Sequence, residues 1–124
     1  VASLQGRFSE GADFPSEQLE GIFIVGIPFD KLNLKTKKYI EYCEEMFDKD
    51  GRKIAYVIPA IRRTSQAIGR GLRSTRDKVF VILGDERYRY KNYFELLPDF
   101  VRRNCKLINK FEIKKEMENF FAKN

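Results

Sequence analysis

This chain predicts an α/β fold with a mainly parallel sheet, and three features predict it. Two apolar runs, Gly21 to Phe29 and Lys78 to Leu83, have the near-continuous Val/Ile/Phe character of strands buried on both faces. Between them, two stretches at 36–48 and 57–72 place apolar residues at helical period. Strand, helices and strand in alternation read as a Rossmann-like half.

Each element has its own signal. Val1 to Leu4 read as the end of a strand, and Pro28 closes the run that begins at Gly21. Thr36 is a candidate cap for a helix to Asp48, with Tyr39, Ile40, Cys43, Met46 and Phe47 on one side. Asp48-Lys49-Asp50-Gly51 ends it as a turn. From Val57 to Leu72, Ile58, Ile61, Ile68 and Leu72 recur at spacings of three, seven and four, forming one apolar stripe. Pro59 suits the first turn of that helix, where its missing N–H would have no partner. Arg62, Gln66, Arg70 and Arg73 follow at spacings of four, four and three, which gathers them on a second face. Gly69 costs about 1 kcal/mol in a helix relative to Ala, so it reads as a point of close approach by backbone or ligand.

Downstream, Lys78 to Tyr88 reads as strand then turn. Tyr88-Arg89-Tyr90-Lys91-Asn92-Tyr93-Phe94 interleaves aromatics with cations, which fits stacking on unpaired bases or aromatics folded back on the core. Pro98 to Asn104 reads as a short helix, Lys106 to Ile108 as a brief strand, and Phe111 to Phe121 as an amphipathic helix through Ile113, Met117, Phe120 and Phe121. No repeat, linker or low-complexity tract interrupts the chain, and 1–124 reads as a single domain.

The chemistry concentrates in Gln66-Ala67-Ile68-Gly69-Arg70-Gly71-Leu72-Arg73. Guanidinium forks match phosphate oxygens and stay charged at any working pH. The octet reads Q-x-x-G-R-x-x-R and resembles motif VI of superfamily 2 helicases. Upstream, the Ser9-Glu10-Gly11-Ala12-Asp13 loop resembles motif V of the XPD and DinG branch. Glycines free the backbone to approach a ligand, and the acids can hold a ribose hydroxyl, a metal-bound water or a partner arginine. The Pro28-Phe29 turn and the strand ending in Asp85-Glu86-Arg87-Tyr88 also resemble that family, so the likeness covers most of residues 1 to 104.

The resemblance implies a partial second RecA-like motor domain, three-layered and of P-loop NTPase type, from an ATP-dependent DNA helicase. It implies that Arg70 and Arg73 act catalytically on the γ-phosphate and that Gln66 reports its presence. Gly11, Asp13, Glu10 and Gly69 would lie near the nucleotide, with Ser9 and Glu10 coupling that site to DNA. Lys31, Lys35, Arg62 and Arg63 are candidate DNA contacts, with Ser9 beside them. Single-stranded DNA and the amino-terminal motor domain of the same parent are the implied partners, and ATP with Mg²⁺ the implied nucleotide and metal of the full-length enzyme.

Other features bound this reading. The chain has neither a G-x-x-x-x-G-K-[ST] loop nor a D-E-x-H-type acid pair, so hydrolysis by it alone is not expected. Val1 falls inside the strand feeding motif V, which reads as a domain lacking its amino-terminal portion. Cys43 and Cys105 lie far apart and histidine is absent, so no metal site is expected, and an iron–sulfur cluster would belong only to the missing first motor domain. A net charge of +6 permits a polyanion partner without requiring one. No run approaches the roughly 20 apolar residues that span a bilayer, and an intracellular location, cytoplasmic or nuclear, is expected. The rival reading is a stand-alone module that binds single-stranded nucleic acid or protein without ATPase activity.

Overall fold

In the computed structural model, residues 20–123 are described. Strand β1 spans Gly21–Val25 and β2 spans Phe80–Gly84. They pair in parallel, with Ile22 beside Val81 and Ile24 beside Leu83. Such a pair needs a crossover long enough to hold a helix, and this one carries α1 (Leu34–Phe47) and α2 (Ile58–Gly69). After β2 come a 3₁₀ turn at Glu86–Arg89 and helices α3 (Lys91–Phe94), α4 (Asp99–Asn104) and α5 (Ile113–Ala122). An α/β chain with a two-stranded parallel sheet results.

The main core lies between that sheet and α2. Ile61 and Ile68 of the expected stripe are buried with Ile24, and Ile22, Val81 and Leu83 pack against them. Full burial of one such side chain contributes about 1.5–3 kcal/mol. The opposite face of β1 departs from expectation, because Phe23 is 62% exposed and Val25 78% exposed. Among the described residues, it is the α2 side of that strand that is covered. On the opposite side, α5 reaches β2, where Phe120 sits edge-on to Phe80 with centroids 5.5 Å apart.

Three boundaries shift for local reasons. Asn33, and not Thr36, caps α1: its Oδ1 accepts the Thr36 backbone N–H at 2.9 Å and the Thr36 hydroxyl at 3.0 Å. The Asp48–Gly51 turn begins as expected, with Asp48 at a φ of 52°. The chain then coils onward through a 3₁₀ turn at Asp48–Asp50 and a π turn at Lys53–Val57 into α2. Pro59 therefore falls in the first turn of α2, as expected, although that helix continues from a π turn and does not start afresh. Its ring and absent N–H are incompatible with an ordinary ladder to the carbonyl four residues back, and the wider turn beforehand, where the Ile58 amide reaches the Lys53 carbonyl, accommodates it. Gly51 is required at the crossing, since a Cβ there would collide with the backbone of Cys43 and Glu44.

Of the apolar side expected for α1, only Ile40 and Cys43 are buried, in a small second cluster with Ala55. Tyr39, Met46 and Phe47 remain at least half exposed. The strand expected at Lys106 to Ile108 is irregular backbone. The loop 88–94 folds largely inward: Tyr88 is buried, Tyr93 and Phe94 pack on the core, and Tyr90 stays exposed.

Candidate functional site

The motif VI residues lie along the last turns of α2 and the loop after it. Gln66 is exposed in its last turns, and the helix closes when the Arg70 amide donates to the carbonyls of Gln66 and Ala67 at 3.2 and 3.3 Å. Gly71 and Leu72 continue the tightening with bonds to Ile68 and Gly69. Arg73 is therefore not on the helix face with Arg62, Gln66 and Arg70, as its spacing predicts, but in the loop beyond. That loop brings it back beside Arg70, with Nε donating to the Arg70 carbonyl at 3.3 Å. A helix C-terminus carries partial negative charge, which favours both cations there. Arg70 and Arg73 each make further interactions beyond these.

The loop is held by a carboxylate that motif reading does not single out. Asp77 Oδ2 accepts the backbone N–H of Arg73 at 2.8 Å and of Ser74 at 2.7 Å. The Ser74 amide, then the Arg73 amide, holds the Asp77 carboxyl below the usual range. Glycine roles also differ from expectation. At Gly69 a Cβ would meet nothing within 4 Å, so no part of the described chain approaches it. Close approach occurs instead at Gly71, where a Cβ would come within 2.7 Å of Val79 Cγ2 and 3.2 Å of Ile22 Cδ1. Gly71 seats the turn directly on the sheet.

Beneath the site, a buried hydroxyl pair fixes α2. Thr64 is fully buried on the apolar stripe, and its Oγ1 lies 2.8 Å from the Tyr88 hydroxyl. Tyr88 also bonds the Gly26 carbonyl at 3.0 Å, joining α2 to the end of β1 and the turn after β2. Asp85 caps that turn, accepting Arg87 N at 2.9 Å and, through Oδ2, Arg87 Nη2 at 2.7 Å. The Arg87 side chain holds the Asp85 carboxyl low and is itself raised by that partner. Burial pushes the Tyr88 phenol up. The Asp-x-Arg-aromatic run thus acts here as a clasp. Thr64 was legible, since Val57, Ile61, Thr64 and Ile68 share the helical period.

The DNA-contact candidates divide. Lys31, Lys35 and Arg62 are exposed. Arg63 instead ties α2 to the loop after β1, with Nη1 donating to the Pro28 carbonyl at 3.0 Å and Nη2 2.8 Å from Asp30 Oδ1. Ser9, Glu10, Gly11 and Asp13 lie outside the described residues. Cationic forks and a side-chain amide fit phosphate oxygens. They do not fit a metal ion, and no cluster of His, Cys, Asp or Glu able to hold one occurs among the described residues. Among those residues no helix is long and apolar enough to cross a membrane.

The chain is 28% identical over 97% of its length to a regulator of telomere elongation helicase 1 homolog from Oryza sativa subsp. japonica, covering 13% of that protein. It is 26% identical over 98% of its length to the human regulator of telomere elongation helicase 1, covering 11%. It is 28% identical over 94% of its length to the ATP-dependent DNA helicase CHL1 of Debaryomyces hansenii, covering 16%. The chain thus spans a small fraction of these relatives. Residues 1–104, most of the chain, match the helicase C-terminal domain family, and the chain belongs to that family.

Proposed function

We propose that this chain supplies the nucleotide-sensing half of an ATP-dependent DNA helicase. Arg70 and Arg73 engage the γ-phosphate of ATP bound between two motor domains, and Gln66 reports its presence. The observation that carries this is the placement of Arg70 and Arg73 side by side at the C-terminal end of α2, one turn after the exposed Gln66, on a turn seated against the sheet by Gly71. Family membership supports it, as do relatives named as ATP-dependent DNA helicases.

The domain is read as one RecA-like, three-layered unit that works with an amino-terminal motor domain of the same parent. Mg²⁺ and the attacking water would be held by that other domain, because the donors here suit phosphate. Two guanidinium groups place fixed positive charge where negative charge grows in the transition state. Loss of the γ-phosphate removes their partner and lets the domains part, which converts hydrolysis into movement along DNA. Gly11, Asp13 and Glu10 belong to the same nucleotide site, and Gly69, with open space beside it, can admit a ligand. Ser9, Lys31, Lys35 and Arg62 form the DNA track, with Arg63 shaping it through Asp30. The family resemblance brings with it 5′-to-3′ movement on single-stranded DNA, service in repair, and an intracellular, cytoplasmic or nuclear, site of action.

Arg70→Glu in the intact protein tests this reading. DNA-stimulated ATPase activity should fall by about 10³-fold or more, the scale of an arginine finger, while single-stranded DNA binding stays near wild type. Normal turnover would remove Arg70 from the mechanism.

A further inference from the structure

We propose that Asp77 is a positioning residue for Arg73, holding its backbone so that the guanidinium is delivered to the nucleotide. The proposal rests on the reading of Arg73 as a phosphate-contacting group. An arginine that acts from a helix inherits its placement from the helix, but α2 ends at Gly69 and Arg73 stands beyond it. Misplacement of a catalytic group by about 1 Å can lower rate 10²-fold, so a loop arginine requires a separate anchor.

Asp77 meets that requirement. One carboxylate oxygen, Oδ2, accepts two successive amides, Arg73 N at 2.8 Å and Ser74 N at 2.7 Å. Hydrogen bonds to an ionised acceptor are roughly twice as strong as neutral ones. Asp77 is itself tied into the turn, its own amide donating to the Ser74 carbonyl at 3.2 Å, and it lies just before β2. Arg73 is thereby held at two points: the backbone by Asp77 and the side chain by the Arg70 carbonyl. The sheet, through Asp77, sets where Arg73 stands relative to Arg70.

Because both bonds fall on one oxygen, an asparagine can present its amide oxygen in the same place, whereas alanine presents none. The test compares Asp77→Ala, Asp77→Asn, Arg73→Ala and the double variant D77A/R73A in the intact protein, reading ATPase kcat and KM with melting temperature alongside. Asp77→Ser replaces the alanine form should that fail to fold. Asp77→Ala should lower kcat about 10²-fold with KM for ATP changed less than about threefold, Asp77→Asn should recover most of it, and the double variant should be no slower than Arg73→Ala. If Arg73→Ala is crippled while Asp77→Ala turns over normally, with or without a lower melting temperature, Asp77 is structural and the positioning role is overturned. If Arg73→Ala itself turns over normally, the finger role of Arg73 fails, and the role of Asp77 with it.

Discussion

Removing one oxygen, in Tyr88→Phe, tests whether the motif VI helix is locked to the sheet by the buried hydroxyl pair. A phenol has a single proton, and the Gly26 carbonyl at 3.0 Å can only accept it. Thr64 Oγ1, 2.8 Å away, then donates to the phenol oxygen, with only a longer contact of 3.4 Å to the Ala60 carbonyl as its alternative. Phenylalanine keeps the ring packing but leaves the Gly26 carbonyl without that donor and Thr64 without its acceptor. Stranding a buried polar group costs about 1–3 kcal/mol, which for a chain of this size corresponds to a melting temperature lower by roughly 4–12 °C.

Thr64→Val removes the hydroxyl that only donates, leaves the Tyr88–Gly26 bond in place, and should cost about 0.5–1.5 kcal/mol. In the double variant no threonine hydroxyl remains to be stranded, so its loss should fall short of the sum of the singles by about 0.5–1.5 kcal/mol. Urea and thermal unfolding followed by far-ultraviolet circular dichroism give all four values. A Tyr88→Phe change within about 0.5 kcal/mol of wild type, or strict additivity of the two singles, would refute the shared relay.

The two glycines of motif VI should separate cleanly. Gly71→Ala drives a methyl to 2.7 Å from Val79 and should destabilise by about 1–3 kcal/mol, whereas Gly69→Ala enters open space and should be neutral or stabilise by up to about 1 kcal/mol. Equal melting temperatures for the two variants would contradict the packing of the turn against Val79 and Ile22. The Asp85 carboxyl is depressed chiefly by the Arg87 side chain. The stability it contributes is therefore present above the unfolded carboxylate value of about 3.9 and lost as pH falls through the lower folded value. Asp85→Asn should thus melt below wild type at neutral pH, with the gap narrowing progressively as pH falls below about 4; a gap that does not narrow at all on acidification would mean that Asp85 does not act through its charge.

Local signals determined much of this protein. The strands at 21–25 and 80–84, the amphipathic stretch of α2 and the Q-x-x-G-R-x-x-R octet were all legible, because periodicity and short motifs are properties of neighbours in the chain. Family membership was legible for the same reason: Gln66, Gly69, Arg70 and Arg73 keep their order and spacing whatever the fold does with them. Caps and interruptions were less so. Asn33 and Thr36 are both capping residue types, and only the backbone shows which oxygen meets which amide. Pro59 has the signature of a first turn and stands in the first turn of α2, but nothing local to it shows that a π turn leads into that helix.

Tertiary contact decided the rest. Which glycine is obligatory depends on what lies opposite it, and Val79 and Ile22 stand over Gly71 while nothing stands over Gly69. Whether β1 is covered on both faces depends on what packs there, and composition cannot place α5 over Phe80 while leaving Phe23 and Val25 open. Arg73 carries the clearest case. Its identity and spacing mark it as a candidate phosphate ligand, but the helix that would have oriented it stops short, and its backbone is held instead by Asp77, which bonds the amides of Arg73 and Ser74 in a way that no spacing rule encodes. Sequence assigns the charge because chemistry resides in the residue type; only the fold assigns its place, because place is the sum of contacts between residues far apart in the chain.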